Sequence, residues 1–274
     1  MKSFVNEIST SFCEVKPFEF VINYAELDKD SPDNIHESHF HDRCEIYINI
    51  SGDVSYMVEN HLYPVSKGDI IITKPFEYHN CIYNNSNTWH KQYCLGFKID
   101  GNEDLFEFIS NIKSGEDNLI KLTSDDFEKI IDCCNILLEK KLNNIQKYAY
   151  FTKICAILSK SKSNERTDIM PEIIKNAVDY VNKNISAQFT VEQLALVSHV
   201  SVNTLERHFK EVLGTSPAVF IRDKKLANAA HLLRRGASVT DACFDSGFVN
   251  CSHFIVQFKK RFGITPNKYR TKSE

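Results

Sequence analysis

Nothing in this 274-residue chain approaches the roughly 18 consecutive apolar residues that a membrane-crossing helix needs. The opening residues, MKSFVNEISTSFCEVKPF, also lack the apolar core of about seven or more residues that a secretory signal requires. A cytoplasmic protein with no membrane partner is therefore expected. No CxxC pair occurs among the nine cysteines, which are scattered and odd in number, so zinc-ribbon and thioredoxin-like chemistry have no anchor. The cysteines suit a reducing compartment and are expected to act mostly as small core residues. Cys133 and Cys134, adjacent in an apolar helix-like stretch, form the one pair that the sequence itself marks for oxidation. Catalytic signatures are missing too: there is no P-loop, no nucleophile elbow and no HExxH.

What is present is the balance of a folded protein, with 42% hydrophobic and 25% charged residues, which excludes a disordered chain. The length exceeds what one core usually supports, and two domains are expected. Charge divides along the chain. Residues 1–170 hold 18 Lys and Arg against 27 Asp and Glu, a net of -9, whereas residues 171–274 hold 15 against 9, a net of +6. The division falls just after the polar run SKSKSNERTD (159–168). A basic final third points to a polyanionic partner, although a solvated basic surface would give the same balance.

That basic third contains an internal repeat. TVEQLALVSHVSVNTLERHFKEVLGTSP (190–217) is echoed by SVTDACFDSGFVNCSHFIVQFKKRFGITP (238–266). Thr190 and Ser238 correspond at an offset of 48, but Leu205/Phe254, Phe209/Phe258, Gly214/Gly263 and Pro217/Pro266 correspond at 49, so one extra residue sits in the second turn. Each copy opens with a capping-box pattern, Thr190-x-x-Gln193 or Ser238-x-x-Asp241. A short helix then exits through a turn whose left-handed position is Gly247 in the second copy and His199 in the first. A new N-cap follows, Ser201 or Asn250, and then a longer helix with Leu205, Phe209 and Leu213, or Phe254, Phe258 and Phe262, on one face. The opposite faces carry Asn203, Glu206, Arg207 and Lys210, and Ser252, His253, Val256, Lys259 and Lys260.

Two short helices at a sharp turn, the second solvent-facing, is the arrangement that lays a helix in a major groove. Residues 218–235 between the copies read as one helix, with Phe220, Leu226, Ala230 and Leu233 on a common face. It would space the two recognition helices about 34 Å apart, one turn of duplex, if both meet one face of DNA. Packed helical repeats with a basic surface remain the competing reading of periodicity alone.

From Ile173 to Arg270 the sequence resembles the AraC/XylS family of transcription regulators, in LERHFK with its downstream G-x-SP, in KKLANAAHLL, and above all in DSGFVNCSHFIVQFKKRFGITPNKYR. The resemblance implies that Asn203, Glu206 and Arg207 face bases in the first unit, and Cys251, Ser252, His253 and Val256 in the second. The family often has Ser-Arg where this chain has Ile255-Val256, and Arg in place of Lys225. Base reading is therefore expected to fall mainly on Arg207, since arginine bonds bidentately to guanine. The second helix would then mainly position the protein through Lys259, Lys260 and Arg261, with Val256 against a thymine methyl.

In the first half, short β-like runs follow one another from Phe18: 45–50, 54–60, 61–65, 69–73 and 92–99, punctuated by Gly52, Gly68 and Pro75. Such a pattern indicates a barrel or jelly roll. His39 and His41 alternate on one strand, followed by Glu45 and Gly52, then Gly68 and His79 eleven residues on. Imidazoles with a carboxylate suit a divalent metal of borderline softness. The spacing resembles the two motifs of cupin barrels, whose metal-bearing members bring three imidazoles and a carboxylate to one ion. The resemblance to the regulators implies instead an organic effector, with His39, His41, Glu45, Tyr47, Tyr56 and His79 as pocket residues. From 124 to 158 the pattern turns helical, with an apolar stripe of Ile130, Ile131, Cys134, Leu137 and Leu138 and another of Tyr150, Ile154, Ile157 and Leu158. These stripes cover a barrel or, as the resemblance implies, form a dimer.

The expected architecture is α+β and multidomain: a cupin-like effector-binding barrel over 1–120, a helical pair over 121–160, a linker over 161–170, and an all-α double helix-turn-helix domain over 171–274. The expected function is a sequence-specific DNA-binding regulator, not an enzyme. Its partners would be double-stranded DNA, a small-molecule effector such as a sugar, a second copy of the chain and RNA polymerase, with no resident cofactor. The alternative is a metal-dependent cupin enzyme fused to a DNA-binding module, with His39, His41, Glu45 and His79 as ligands.

Overall fold

The computed structural model describes residues 5–15, 18–27, 38–83, 89–99, 101–139, 141–163 and 168–271. The chain divides into two units. The first is Met1–His36, Asp42–Pro75 and His79–Ile169; the second is Met170–Glu274 with two short earlier segments, Glu37–His41 and Phe76–Tyr78. Among the described residues no helix is long and apolar enough to cross a membrane.

Among the described residues the first unit holds nine strands: β1 (Val5–Val15), β2 (Phe18–Leu27), β3 (Cys44–Ser51), β4 (Val54–Val58), β5 (His61–Val65), β6 (Asp69–Thr73), β7 (His79–Tyr83), β8 (His90–Phe97) and β9 (Leu119–Lys121). They form a six-stranded sheet of order β1-β2-β8-β3-β6-β9 and a three-stranded sheet of order β5-β4-β7, all pairs antiparallel. Strands β3, β4, β5, β6 and β8 follow the β-like segments of the sequence, whereas β7 and β9 fall outside them. So does β1: the strand pattern becomes evident only at Phe18, yet Val5–Val15 pairs with β2 along its length.

Successive strand residues point to opposite faces, and here both faces of the larger sheet are covered. Cys44, Ile46 and Ile48 of β3, Ile70 and Ile72 of β6, and Tyr93, Leu95 and Phe97 of β8 join one core cluster with the helices that follow. Tyr47 and Ile71 join the other, with Val54, Tyr56, Val58, Tyr63, Val65, Cys81, Tyr83 and Leu119, in the space between the two sheets.

After a single-turn helix α1 (Glu107–Ser110), helices α2 (Ser124–Leu137) and α3 (Asn144–Leu158) supply the first cluster. Thr123 caps α2 by accepting from the Asp126 amide, and Asn143 with Gln146 makes a reciprocal capping box on α3. The expected stripe residues Ile130, Cys134, Leu137, Ile154 and Leu158 are buried, but the aromatic centre is Phe151, which stacks on Phe20 at 4.6 Å and meets Phe97 edge-on at 5.0 Å.

In the second unit, α4 (Glu172–Lys183) precedes two helix pairs, α5 (Val191–Val197) with α6 (Val202–Leu213) and α8 (Val239–Asp245) with α9 (Cys251–Phe262). They are joined by α7 (Pro217–Arg234) and followed by α10 (Pro266–Thr271). The linkers between paired helices, 198–201 and 246–250, differ in length by the one residue that the repeat offset demands. His199 (φ 57°) and Gly247 (φ 74°) take the left-handed conformation at these turns, as the sequence indicated. Thr190 and Gln193 make the full capping box. Ser238 differs. Its hydroxyl accepts from the Asp241 amide but also donates to the Asp241 carboxylate at 2.6 Å, so the aspartate, one methylene shorter than Glu, caps its own cap.

Candidate nucleic-acid interface and ligand site

Helix α6 starts where Ser201 accepts from the Thr204 amide at 3.2 Å, and ends at Gly214, whose φ of 67° closes the last turn. Its apolar residues Leu205, Phe209 and Leu213 are fully buried, and Phe209 meets Phe220 of α7 edge-on at 5.6 Å. That packing fixes which face is left to solvent. Asn203, Glu206, Arg207 and Lys210 lie on it, all exposed. The Arg207 side chain is 65% exposed, and its Nε lies 4.0 Å from Glu211 Oε1 one turn on. Lys210 bends back so that its ammonium donates to the Gly214 carbonyl at 3.0 Å, closing the helix end as well as charging it.

Helix α9 starts at Asn250, which accepts from the His253 amide at 3.0 Å. Phe254 and Phe258 are buried, and Phe262 packs on Phe258 at 4.3 Å and on Tyr269 of α10 at 5.1 Å. Ser252, His253, Val256, Lys259 and Lys260 are exposed, and Cys251 is half-buried. Val256 is 63% exposed, an apolar surface that nothing within the unit covers to that extent. Arg261, which the sequence groups with the two lysines, is engaged otherwise: it donates to the Phe40 carbonyl at 2.7 Å and lies 4.4 Å over the Phe40 ring, both inside the second unit. The free basic end of α9 is therefore Lys259 and Lys260.

Sequence reasoning missed what fixes α9 in place. Lys225 of α7 is buried, and its ammonium donates to the Gly247 carbonyl at 2.9 Å and the Ala187 carbonyl at 3.2 Å, above the Phe189 ring. Gln188 donates to the same Gly247 carbonyl at 2.6 Å, and Asn228 to Ser246 Oγ at 3.1 Å. Burial pulls the Lys225 ammonium below its ordinary pKa. Carbonyl dipoles take the place of a counter-ion, so a cation clamps the α8–α9 turn to α7. The only local sign of it is a lysine inside the helix expected over 218–235.

In the first unit, strand alternation turns Glu45 and Tyr47 of β3, Tyr56 of β4 and His79 of β7 toward one another. The Tyr56 hydroxyl donates to Glu45 Oε1 at 3.2 Å, and His79 Nε2 lies 4.0 Å from the same oxygen. The Tyr47 and Tyr56 rings are 4.9 Å apart, and the His79 ring is parallel to Tyr56 within 9°. Cys81, Tyr83 and Cys94 pack in the same cluster, where Tyr83 donates to Gln92 at 2.8 Å. Burial first, then the Glu45 carboxylate, raises the Tyr56 phenol and the Cys94 thiol well above their ordinary pKa, and the Cys81 thiol is pushed up to about 12. All three stay protonated donors at neutral pH. Of the six expected pocket residues, these four come together here. His39 and His41 fall in the segment grouped with the second unit, their rings 5.8 Å apart.

A family model described as an AraC-like ligand binding domain matches residues 27–167, just over half of the chain, and one described as a helix-turn-helix domain matches 194–272. The chain belongs to the AraC family. The curated HTH-type transcriptional activator RhaS of Enterobacter sp. strain 638 is 22% identical over 247 residues, covering 85% of this chain and 86% of that protein. The lactose operon transcription activator of Staphylococcus xylosus is 25% identical over 246 residues, covering 82% of each. Among solved structures, ToxT from Vibrio cholerae O395 aligns over 97% of this chain and 96% of its own, at 15% identity and a TM-score of 0.40. This AraC-family protein is thus a DNA-binding transcription regulator with a ligand-binding N-terminal domain. Helices α6 and α9 lie within the span of its helix-turn-helix domain, and the Glu45 cluster lies within the span of its ligand-binding domain.

Proposed function

We propose that this regulator reads bases with Asn203, Glu206 and Arg207 of α6 and with Cys251, Ser252, His253 and Val256 of α9, and that Lys210, Lys259 and Lys260 face phosphates. The burial of the opposite faces of both helices, which leaves these residues to solvent, is the observation that carries the reading. The two helices are unequal readers: α6 supplies the bidentate donor, while α9 offers an apolar valine and a lysine pair. Replacing Lys260 by alanine is expected to weaken binding to matched and random duplexes alike and to reduce the slope of log K against log salt by about one, as a lost phosphate contact does. Fluorescence anisotropy over a salt series checks it. A loss confined to one sequence would contradict a phosphate role.

We infer further that a small organic effector is bound by Glu45, Tyr47, Tyr56 and His79, with His39 and His41 as further contacts. A half-buried carboxylate beside protonated phenols and thiols and stacked aromatic rings suits a neutral ligand rich in hydroxyl groups. A sugar fits that description, and a similar protein is named for a lactose operon. In this reading the protein is a non-catalytic, cytoplasmic regulator, and the functional division is 1–120, 121–160, 161–170 and 171–274. Helices α2 and α3 carry a homodimer, and RNA polymerase is the partner through which bound protein acts on transcription. Thermal unfolding of the full chain against a panel of mono- and disaccharides should show stabilisation by at least one, lost in Glu45→Gln. A panel that stabilises both proteins equally would remove the site.

The second reading is a divalent ion in the barrel, which His39, His41, Glu45 and His79 would hold, acting as a Lewis acid for an enzyme. The 4.0 Å approach of His79 to Glu45 is the observation in its favour. Elemental analysis of untagged protein separates the two. Metal below stoichiometry, with sugar binding intact, is the expected result; stoichiometric metal that disappears in His79→Ala would establish the ion.

A further inference from the structure

The internal repeat sets an apolar pair on the open face of α9. At the offset of 49 that relates the longer helices, Ile255 and Val256 take the places that Glu206 and Arg207 hold in α6. Burial of Phe254 and Phe258 fixes the opposite side of the helix, so positions 255 and 256 are turned to solvent as 206 and 207 are. Ile255 is 37% exposed and Val256 63%, although branched aliphatic side chains are the ones most often buried. Polar groups flank the pair without interrupting it. Ser252 and His253 lie about one turn before, the His253 ring accepting from Gln257 Nε2 at 3.3 Å. Lys259 and Lys260 lie about one turn after, both exposed. These ammonium groups, in a segment of net charge +6 over residues 171–274, match a polyanion, so the surface that covers the pair is the phosphate-edged major groove of a duplex.

We propose that, with α9 as the base-facing helix described above, Ile255 and Val256 recognise the C5-methyl group of a pyrimidine, carried by thymine or by 5-methylcytosine, so that cytosine methylation strengthens binding. In the major groove adenine presents N7 and an amino group, guanine N7 and O6, and unmethylated cytosine an amino group. The C5-methyl is the one apolar group on any base edge there. A side chain without donor or acceptor that covers N7, O6 or an amino group leaves it dehydrated and unpaired, which disfavours binding. Against a methyl, the same surface removes apolar area from water on both sides of the contact. Branching at Cβ helps, because Ile255 and Val256 have little χ1 freedom to lose when the contact forms. The two units thus select differently. Arg207 selects by hydrogen-bond pattern, whereas the apolar pair selects by a single methyl and does not separate thymine from 5-methylcytosine.

A duplex selected from a random pool on the full-length protein supplies the probe. Each thymine is replaced in turn by deoxyuridine, which keeps the base pair and removes only the methyl. At one or two positions the wild-type affinity should fall about fourfold, the effect of one lost buried methyl, and in Val256→Ala that replacement should lose most of its effect. The variant should fold normally, because the side chain it shortens is exposed. At the same positions, 5-methylcytosine should bind about fourfold more tightly than cytosine opposite the same guanine. Val256→Glu checks the helix itself, since a carboxylate brought against DNA should strongly weaken binding to every duplex. If it does so while no deoxyuridine effect depends on Val256, α9 faces DNA and methyl recognition is overturned. If Val256→Glu binds as tightly as the wild type, α9 does not face bases, and its base-reading role falls together with the proposal. A deoxyuridine effect with no gain from 5-methylcytosine would confine the contact to thymine and overturn the dependence on methylation.

Discussion

Arg207→Ala is expected to leave folding intact and to relax the base preference of the protein, costing about 1–3 kcal/mol of discrimination at the base pair it meets. The structural cost is small because the side chain is 65% exposed and its one ion-pair neighbour, Glu211 at 4.0 Å, is 58% exposed; surface pairs of this kind contribute little. The same weakness means that the guanidinium leaves Glu211 at little cost when DNA arrives. Glu211→Ala should therefore alter base preference far less than Arg207→Ala does. Selection of duplexes on both variants, followed by affinity measurements on matched and mismatched sites at one salt concentration, decides the matter. An equal loss on matched and random duplexes would make Arg207 a phosphate contact and move base reading elsewhere.

Gly247→Ala is expected to be the most damaging small substitution in the second unit. Alanine at φ 74° pays roughly 1–2 kcal/mol for the left-handed conformation alone. Its Cβ would also stand 2.6 Å from the Ile185 carbonyl oxygen and 2.9 Å from the Lys225 ammonium. The carbonyl belongs to the backbone and cannot swing away, so either the turn shifts or the Lys225 clamp opens. Gly236 is the control. It has φ 88°, but nothing lies within 4 Å of its Cβ position, so Gly236→Ala bears only the conformational cost. For a unit of this size each kcal/mol lowers the melting temperature by about 4–8 °C. Calorimetry of the full chain should show Gly247→Ala melting several degrees below Gly236→Ala. Equal melting would mean that the turn yields freely and that Lys225 does not fix α9.

Much of the second unit was legible because its signals are local. A repeat offset of 48 turning to 49 located an extra turn residue, the caps at Thr190, Ser201 and Asn250 marked helix starts, and the glycine at 247 announced a left-handed turn. Each rests on hydrogen bonds between residues a few positions apart, which residue type and spacing determine. The first unit was legible as strands but not as faces. Cys44–Ile48 is buried on both sides, so hydropathy alternation could not say that Ile46 packs on helices while Glu45 and Tyr47 turn between the sheets. β1 was silent because its sequence mixes polar and apolar residues without a clear period, and only pairing with β2 makes it a strand.

The sequence by itself determined the family resemblance, the two helix-turn-helix units and the faces of α6 and α9 left free, since an amphipathic helix of fixed period admits one apolar side. Tertiary structure alone decided three things: that Arg261 is occupied by Phe40, that Lys225 holds the α8–α9 turn, and that Glu45 and His79 come within 4.0 Å of each other. Each joins residues on different elements. Such meetings depend on how helices and strands pack in three dimensions, and no periodicity along the chain encodes that.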